Sequence, residues 1–261
     1  MRQRRPAADP VADAPAASSA TWLEAEPGGV AAQLALDEAL LEEAHEGVRT
    51  GLVVRTWMAD EPTVVLGSSS RAAAEVDPDA CAAHGVRVIR RPSGGLSVVL
   101  GPGCLMWSVV VHHADGPPAI DAIHAAMLEP LAAALRAAGR DVVRRGSSDL
   151  AIVDAAGERK ISGNALRVRR HGVLYHGTLL DAFDLDLIGR VLRHPPREPE
   201  YRGGRPHTAF LANLGLGLPL LTAAVRAAFG ARRCETAWPR ERVARLLRDR
   251  YVDSAWIHRL P

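Results

Sequence analysis

The sequence predicts an α+β fold, with mixed or antiparallel sheets flanked by helices. Three observations predict it. Short apolar runs rich in Val, Leu and Ile recur along the middle of the chain, separated by brief Gly, Asn, Asp and Pro turn signals. Helical periodicity is confined to a few longer segments instead of alternating with every strand, as a doubly wound parallel sheet would require. The 261 residues, 48% of them hydrophobic, fit one large domain with at most a small appendage.

The segment 31–47 (AAQLALDEALLEEAHEG) has helical spacing, with Leu34, Leu41 and Ala44 on one side, acids on the other and Gly47 as a stop. Residues 52–58 and 63–67 read as strands joined by a hairpin turn at ADEP. Residues 77–85 read as a short helix ending at Gly85. Strands 86–91 and 94–100 flank the segment RRPSGG, and 104–113 forms a further, mostly buried strand. A long helix spans 119–139, with Pro130 predicting a bend or a new first turn. Strands follow at 141–145, 149–154, 157–170 and 172–180, with hairpin tips at Asp154–Gly157 and Arg169–Gly172. Then come a helix at 184–194, a polar loop at 195–207, and helices near 218–229 and 239–250. The domain reading is a disordered tail (1–20), a core domain (21–217) and a helical extension of that domain (218–261).

The totals exclude several classes. A net charge of +2 argues against bulk nucleic-acid binding. The three cysteines, Cys81, Cys104 and Cys234, form no C-x-x-C pair, so neither a zinc site nor a disulfide framework is expected, and a reducing compartment is. No apolar run reaches the ~18 residues a spanning helix needs. The expected setting is cytoplasmic, with neither membrane nor nucleic acid as partner.

Four segments carry candidate chemistry. Lys160 is the single lysine of an arginine-rich chain, and it sits in a strand pattern beside Ser162, Gly163 and Asn164. Strand interiors disfavour Gly and Asn, so a ligand or backbone approaches there, or the lysine is solvated before a β-bulge. An ammonium on a flexible stem is suited to meet a carbonyl or phosphate oxygen as a point charge. In RRPSGG, Gly94 and Gly95 free the backbone to meet an anion. Arg90 and Arg91 should face opposite ways, so only one enters a pocket. The bland alternative is a glycine turn with surface arginines. His176 lies within an apolar run before Gly177 and Thr178, as a satisfied core residue or as a cleft residue. Asp149 opens a strand, as a turn residue or as a carboxylate ligand for Mg²⁺.

Taken in order, RRPSGG, SDLAIV, RKISGNALR and LYHGTLL resemble the lipoate-protein ligase A family within the wider biotin/lipoate ligase fold. The resemblance runs over roughly residues 22–215, with LALDEALLEEA similar to the family's first helix and VVRTWMADEPTVVLGSSSR similar to its strand–turn–strand and Gly-led ligand loop. It implies a two-step reaction: lipoate or octanoate attacks the α-phosphate of Mg-ATP, and a lysine of an acceptor lipoyl domain then takes the acyl group. Implied acceptors are of the 2-oxoacid dehydrogenase E2 or glycine cleavage H protein type. Lys160 would be the catalytic clamp on developing oxyanions. Arg91, Ser93, Gly94, Gly95, Ser162, Gly163, Asn164, His176, Gly177 and Thr178 would bind substrate or adenylate, and Asp149 would serve Mg²⁺. The chain departs from the pattern at Leu96, in place of a third glycine, at Leu100, Gly101 and Cys104, in place of the family's His, Asp and Asn, and at residues 68–71.

Two other functions compete. One is ATP-independent octanoyl or lipoyl transfer from acyl carrier protein or between lipoyl domains, which in related transferases uses a cysteine. Only Cys104 approaches a site motif here, and its apolar strand reads as a structural setting. The other is a non-catalytic binding module of the same fold. Biotin ligation is disfavoured, because its G-R-G-R adenylate loop does not occur in the chain.

Overall fold

The computed structural model describes residues 20–260. Its elements begin with β1 (Ala20–Leu23), α1 (Val30–His45), β2 (Leu52–Met58), β3 (Thr63–Leu66), α2 (Ala72–Glu75) and α3 (Pro78–Ala83). There follow β4 (Arg87–Arg90), β5 (Val98–Leu100), β6 (Cys104–His112), α4 (Ile120–Ala137), β7 (Val142–Arg145), β8 (Asp149–Asp154), β9 (Gly157–Arg169) and β10 (Gly172–Leu180). The chain continues through α5 (Leu185–Val191), α6 (His207–Phe210), α7 (Leu218–Ala228), β11 (Arg233–Glu235), α8 (Arg240–Leu246) and α9 (Ser254–Ile257). The α+β expectation holds.

The strands form two sheets, one ordered β11-β1-β2-β6-β10-β9-β8-β7 and a smaller one ordered β4-β3-β5. From β2 to β7 the large sheet is antiparallel throughout, while β1 runs parallel to both β2 and β11. The period-2 alternation of β10 divides its side chains between two cores. Val173, Tyr175 and Leu179 enter the layer beneath α4 and α7, with Trp107, Leu128 and Leu131. Leu174 and Leu180 enter the layer shared by α1 and the small sheet, with Leu34, Leu41 and Leu66. His176, of the same parity, therefore faces α1.

Several sequence expectations are corrected. Strands 52–58 and 63–67 do not form a hairpin. β2 is a largely buried strand, and it takes β1 and β6 as neighbours, with Leu52 opposite Val111 through Met58 opposite Leu105. Across Asp60–Pro62 the chain passes to the small sheet, where β3 lies between β4 and β5. The strands around RRPSGG lie on either side of β3, so that segment carries the chain across it. Residues 94–97 are irregular, so the strand begins only at Val98. No new first turn begins at Pro130, since α4 runs unbroken through it. Ala20 belongs to β1 and not to a tail, whose remaining residues lie outside the described part.

The acids of α1 do not face water as its spacing suggested. Glu38 is 1% exposed, because the C-terminal segment covers that side. Arg250 pairs with it, and the Tyr251 hydroxyl donates to its Oε2 at 2.7 Å. Arg245 reaches Glu42 and Arg242 reaches Glu46. The extension is also not wholly helical, since β11 adds an edge strand to the large sheet. Three residues without clear alternation carried no readable strand signal.

Candidate active site

A cleft of about 560 Å³ opens between the small sheet, Leu34 of α1, the start of β8 and the middle stretches of β9 and β10. Its apolar lining comes from Leu34, Val65, Leu96, Val98, Leu100 and Met106. Its polar lining comes from Asp149, Lys160, Asn164, His176 and Thr178 with the 146–148 turn, and Arg197–Glu200 line it as well.

The irregular stretch of β9 has a specific geometry. The pairing of β8 with β9 slips between Leu150 and Ala151, so Leu150 faces Ser162 while Ala151 faces Lys160. The bulge breaks the period of two and brings Lys160 and Gly163 to the same place. A Cβ at Gly163 would lie 3.1 Å from both Cε and Nζ of Lys160, so a larger residue would press on the end of the lysine stem. Asn164 is placed by a second glycine. A Cβ at Gly177 would sit 1.7 Å from Asn164 Oδ1. With that space free, Asn164 Nδ2 donates to Ser148 O at 2.8 Å and fixes the turn on the cleft wall. The bulge of the bland alternative is present, and the lysine beside it lines the cleft.

Lys160 Nζ lies 2.8 Å from Asp149 Oδ1, and the Tyr201 hydroxyl donates to Asp149 Oδ2 at 3.0 Å. Burial, then the charge of Asp149, raises the Tyr201 phenol well above its usual range, so it remains a donor. Tyr201 ties the 195–207 loop to the cleft and was not foreseen; its aromatic ring within a polar loop was the available signal.

Of the two arginines, Arg91 lines the cleft. Arg90 turns away, donating to Gly67 O and Ser70 O at 2.7 Å and to Ile257 O at 2.9 Å. Arg91 is not free for an anion. It donates to Ser93 Oγ at 3.0 Å, Val65 O at 3.1 Å, Gly94 O at 2.6 Å and Leu96 O at 2.9 Å. Burial lowers its pKa to about 10, which still leaves it charged near neutrality. Its work is to hold the glycine segment in shape. Gly95 lines the cleft in the left-handed region at φ 87°, whereas Ser93 and Ser162 are buried behind the wall and Gly94 does not line it. The SSSR loop, 68–71, lies outside the cleft wall. A Cβ on Gly67 would stand 1.9 Å from the Gly95 carbonyl oxygen, so this loop buttresses the glycine segment.

His176 is both satisfied and on the cleft. Its Nε2 lies 2.6 Å from Ser93 Oγ, and its Nδ1 3.1 Å from Asp37 Oδ2. Asp37 is 1% exposed and also accepts from Arg55 Nη1 at 2.6 Å and Ser108 Oγ at 2.8 Å. Burial pushes its carboxyl up, but Arg55 and His176 outweigh this and hold it below its usual value, so it is ionised. Asp37 was not picked out from sequence, because among the acids of α1 nothing marks it as turned inward.

Cys104 is fully buried and absent from the cleft wall, and burial pushes its thiol up to about 12. A metal cage is not formed: among the described residues no three His, Cys, Asp or Glu gather as metal ligands. Both oxygens of Asp149, the sequence candidate for Mg²⁺, have partners, Oδ1 in Lys160 and Oδ2 in Tyr201.

The profile of the family described as Lipoyl protein ligase A/B catalytic domain matches residues 30–229. The chain belongs to this family. It is 32% identical over 175 residues to lipoate-protein ligase A subunit 1 of Thermoplasma acidophilum, covering 65% of each protein. It is 30% identical over 197 residues to octanoyltransferase LipM of Kyrpidia tusciae, covering 67% of this chain and 71% of that one. It spans 45% to 65% of the length of the ligases it matches first. Two solved structures share the fold at a TM-score of 0.79 and 24% identity, each over 93% of this chain. One is the bi-partite lipoate protein ligase of T. acidophilum with its E2 lipoyl domain, covered to 97%, and the other a lipoate-protein ligase A bound with ATP, covered to 100%. Among the described residues no helix is long and apolar enough to cross a membrane.

Proposed function

We propose that this family member activates lipoate or octanoate with ATP and transfers the acyl group to a lysine of a lipoyl domain. The observation that carries the reading is the make-up of the cleft: the chain's single lysine, beside Gly163, lines the same cavity as a set of Leu, Val and Met side chains. An aliphatic acid lies along these apolar side chains with its carboxylate toward Lys160. As the carboxylate attacks the α-phosphate and pyrophosphate leaves, charge grows on the phosphate oxygens of the forming acyl-adenylate. As the acceptor amine attacks the acyl carbon, loses its proton and displaces AMP, charge grows on the acyl oxygen. A preorganised ammonium serves both moments. Asp149 keeps Lys160 in place. Relatives and fold neighbours of this kind, one solved with ATP and one with an E2 lipoyl domain, support the reading.

ATP-independent transfer is the second reading, favoured by the likeness to an octanoyltransferase. Against its cysteine form stands Cys104, buried off the cleft with a raised thiol pKa. Mass spectrometry separates the two after incubation with octanoate, Mg-ATP and a lipoyl domain. The ligase reading expects octanoyl-adenylate and an octanoylated domain. Neither product, together with transfer from octanoyl carrier protein, reverses the order. Lys160→Ala and Lys160→Arg should both lose transfer, since a planar guanidinium does not reproduce a compact ammonium.

A further inference from the structure

A chain of hydrogen bonds runs behind the cleft, and the chemistry of its two ends sets their sense. The Asp37 carboxylate only accepts, so His176 Nδ1 carries the proton that bridges 3.1 Å to Oδ2. Arg91 Nε only donates, so Ser93 Oγ accepts from it at 3.0 Å; between them Ser93 Oγ and His176 Nε2 lie 2.6 Å apart, a bond that Ser93 donates when Nε2 carries no proton. The same Arg91 guanidinium holds the carbonyls of Gly94 and Leu96, which frame the cleft loop. Order thus passes from helix α1 through a histidine tautomer to the backbone against which a substrate lies. Ser93 is fully buried, so the array resembles a serine-histidine-aspartate triad in its contacts but offers no nucleophile to the cleft.

We propose that Asp37 is a positioning residue: by holding the Nδ1–H of His176 toward its carboxylate, it fixes Ser93, Arg91 and, through them, the Gly95–Leu96 part of the cleft wall. This rests on the acyl-transfer reading for its consequence, but not for its test. Arg55 and Ser108 both donate to Asp37 Oδ1. In Asp37→Asn the amide oxygen must therefore face them, and the amide NH₂ must face His176. A donor on that side forces Nδ1 to become the acceptor and moves the ring proton to Nε2. Ser93 Oγ then receives donors from both His176 and Arg91, and its own hydrogen loses its partner.

Ring-nitrogen NMR of the full chain reads this directly, with the His176 signals identified by their loss in His176→Gln. The parent is expected to show a protonated Nδ1 and an unprotonated Nε2, Asp37→Asn the reverse, and Ser108→Ala, which removes a donor only from Oδ1, the parental pattern. Transfer of octanoate to a lipoyl domain should fall about tenfold in Asp37→Asn, the scale of one hydrogen bond to a charged group, and stay near parental in Ser108→Ala. An Nε2–H or doubly protonated ring in the parent overturns the proposal without any variant having to fold. So does an unchanged tautomer in a folded Asp37→Asn. A parent with the expected tautomer and flip but no acyl transfer would instead count against the proposed function and leave the relay standing.

Discussion

Arg55→Met tests how much of the fold rests on the ion pair beneath the cleft. Arg55 and Asp37 side chains are 1% and 2% exposed, and their closest contact is 2.6 Å. Arg55 also donates to the backbone and side chain of Gln33. Methionine fills the stem of the arginine but leaves Asp37 as a buried carboxylate with only Ser108 and His176 for partners. Removing one member of a buried pair costs about 3–5 kcal/mol, because the remaining charge is uncompensated. At about 2–4 °C per kcal/mol for a domain near this size, the melting temperature should fall by about 6–20 °C. The pH dependence identifies the cause. In the parent the folded pKa of Asp37 lies below the ordinary 3.8, so its ionisation supports folding above that pH, and the support fades only as pH drops through the folded value. Without Arg55, burial is the largest influence left and raises the folded pKa above 3.8. The variant's deficit is then greatest at neutral pH and shrinks toward about pH 4, as protonation relieves the buried charge. Urea titrations of parent and variant across that range measure the gap. A deficit below about 1 kcal/mol, or one that stays constant with pH, refutes the reasoning.

Three further outcomes are expected. Gly67→Ala places a methyl group 1.9 Å from the Gly95 carbonyl oxygen, a backbone atom that cannot swing aside, so it should cost about 1–3 kcal/mol in a melting experiment and weaken octanoate binding by displacing the cleft wall. Cys104→Ala should keep transfer activity within about twofold, and Cys104 should stay unalkylated by iodoacetamide in the native protein, since its thiol is buried and its pKa pushed up to about 12. Leu96→Gly removes a side chain from the apolar lining and should improve the relative kcat/KM for bulkier acids over octanoate in competition assays, by about tenfold for the few methylenes of space released.

Element types were largely readable, because hairpins with Gly tips and long helices print their periods on the sequence. Pairing was not. The runs 52–58 and 63–67 look like a hairpin, and nothing local says that β2 will prefer the distant β6, whose pairing is longer and more buried. The site divides in the same way. Lys160, Gly163, Asn164 and His176 were visible because each breaks the rule of its own strand. Asp37 breaks no rule, since an acid on an acidic helix is ordinary until a buried arginine and histidine are seen to close on it. Arg91 was found, but as a ligand for an anion; only the fold shows its guanidinium making four hydrogen bonds, to Ser93 Oγ and to the carbonyls of Val65, Gly94 and Leu96.

Consecutive residues of α1 look in two directions. Asp37 reaches the floor of the cleft through His176, and Glu38 reaches the C-terminal segment through Arg250 and Tyr251. One turn of helix therefore belongs to two neighbourhoods at once, and local opening of either exposes a charge the other depends on. Occupancy of the cleft should therefore slow amide exchange in residues 240–251, and unchanged exchange there would show that the two neighbourhoods open independently.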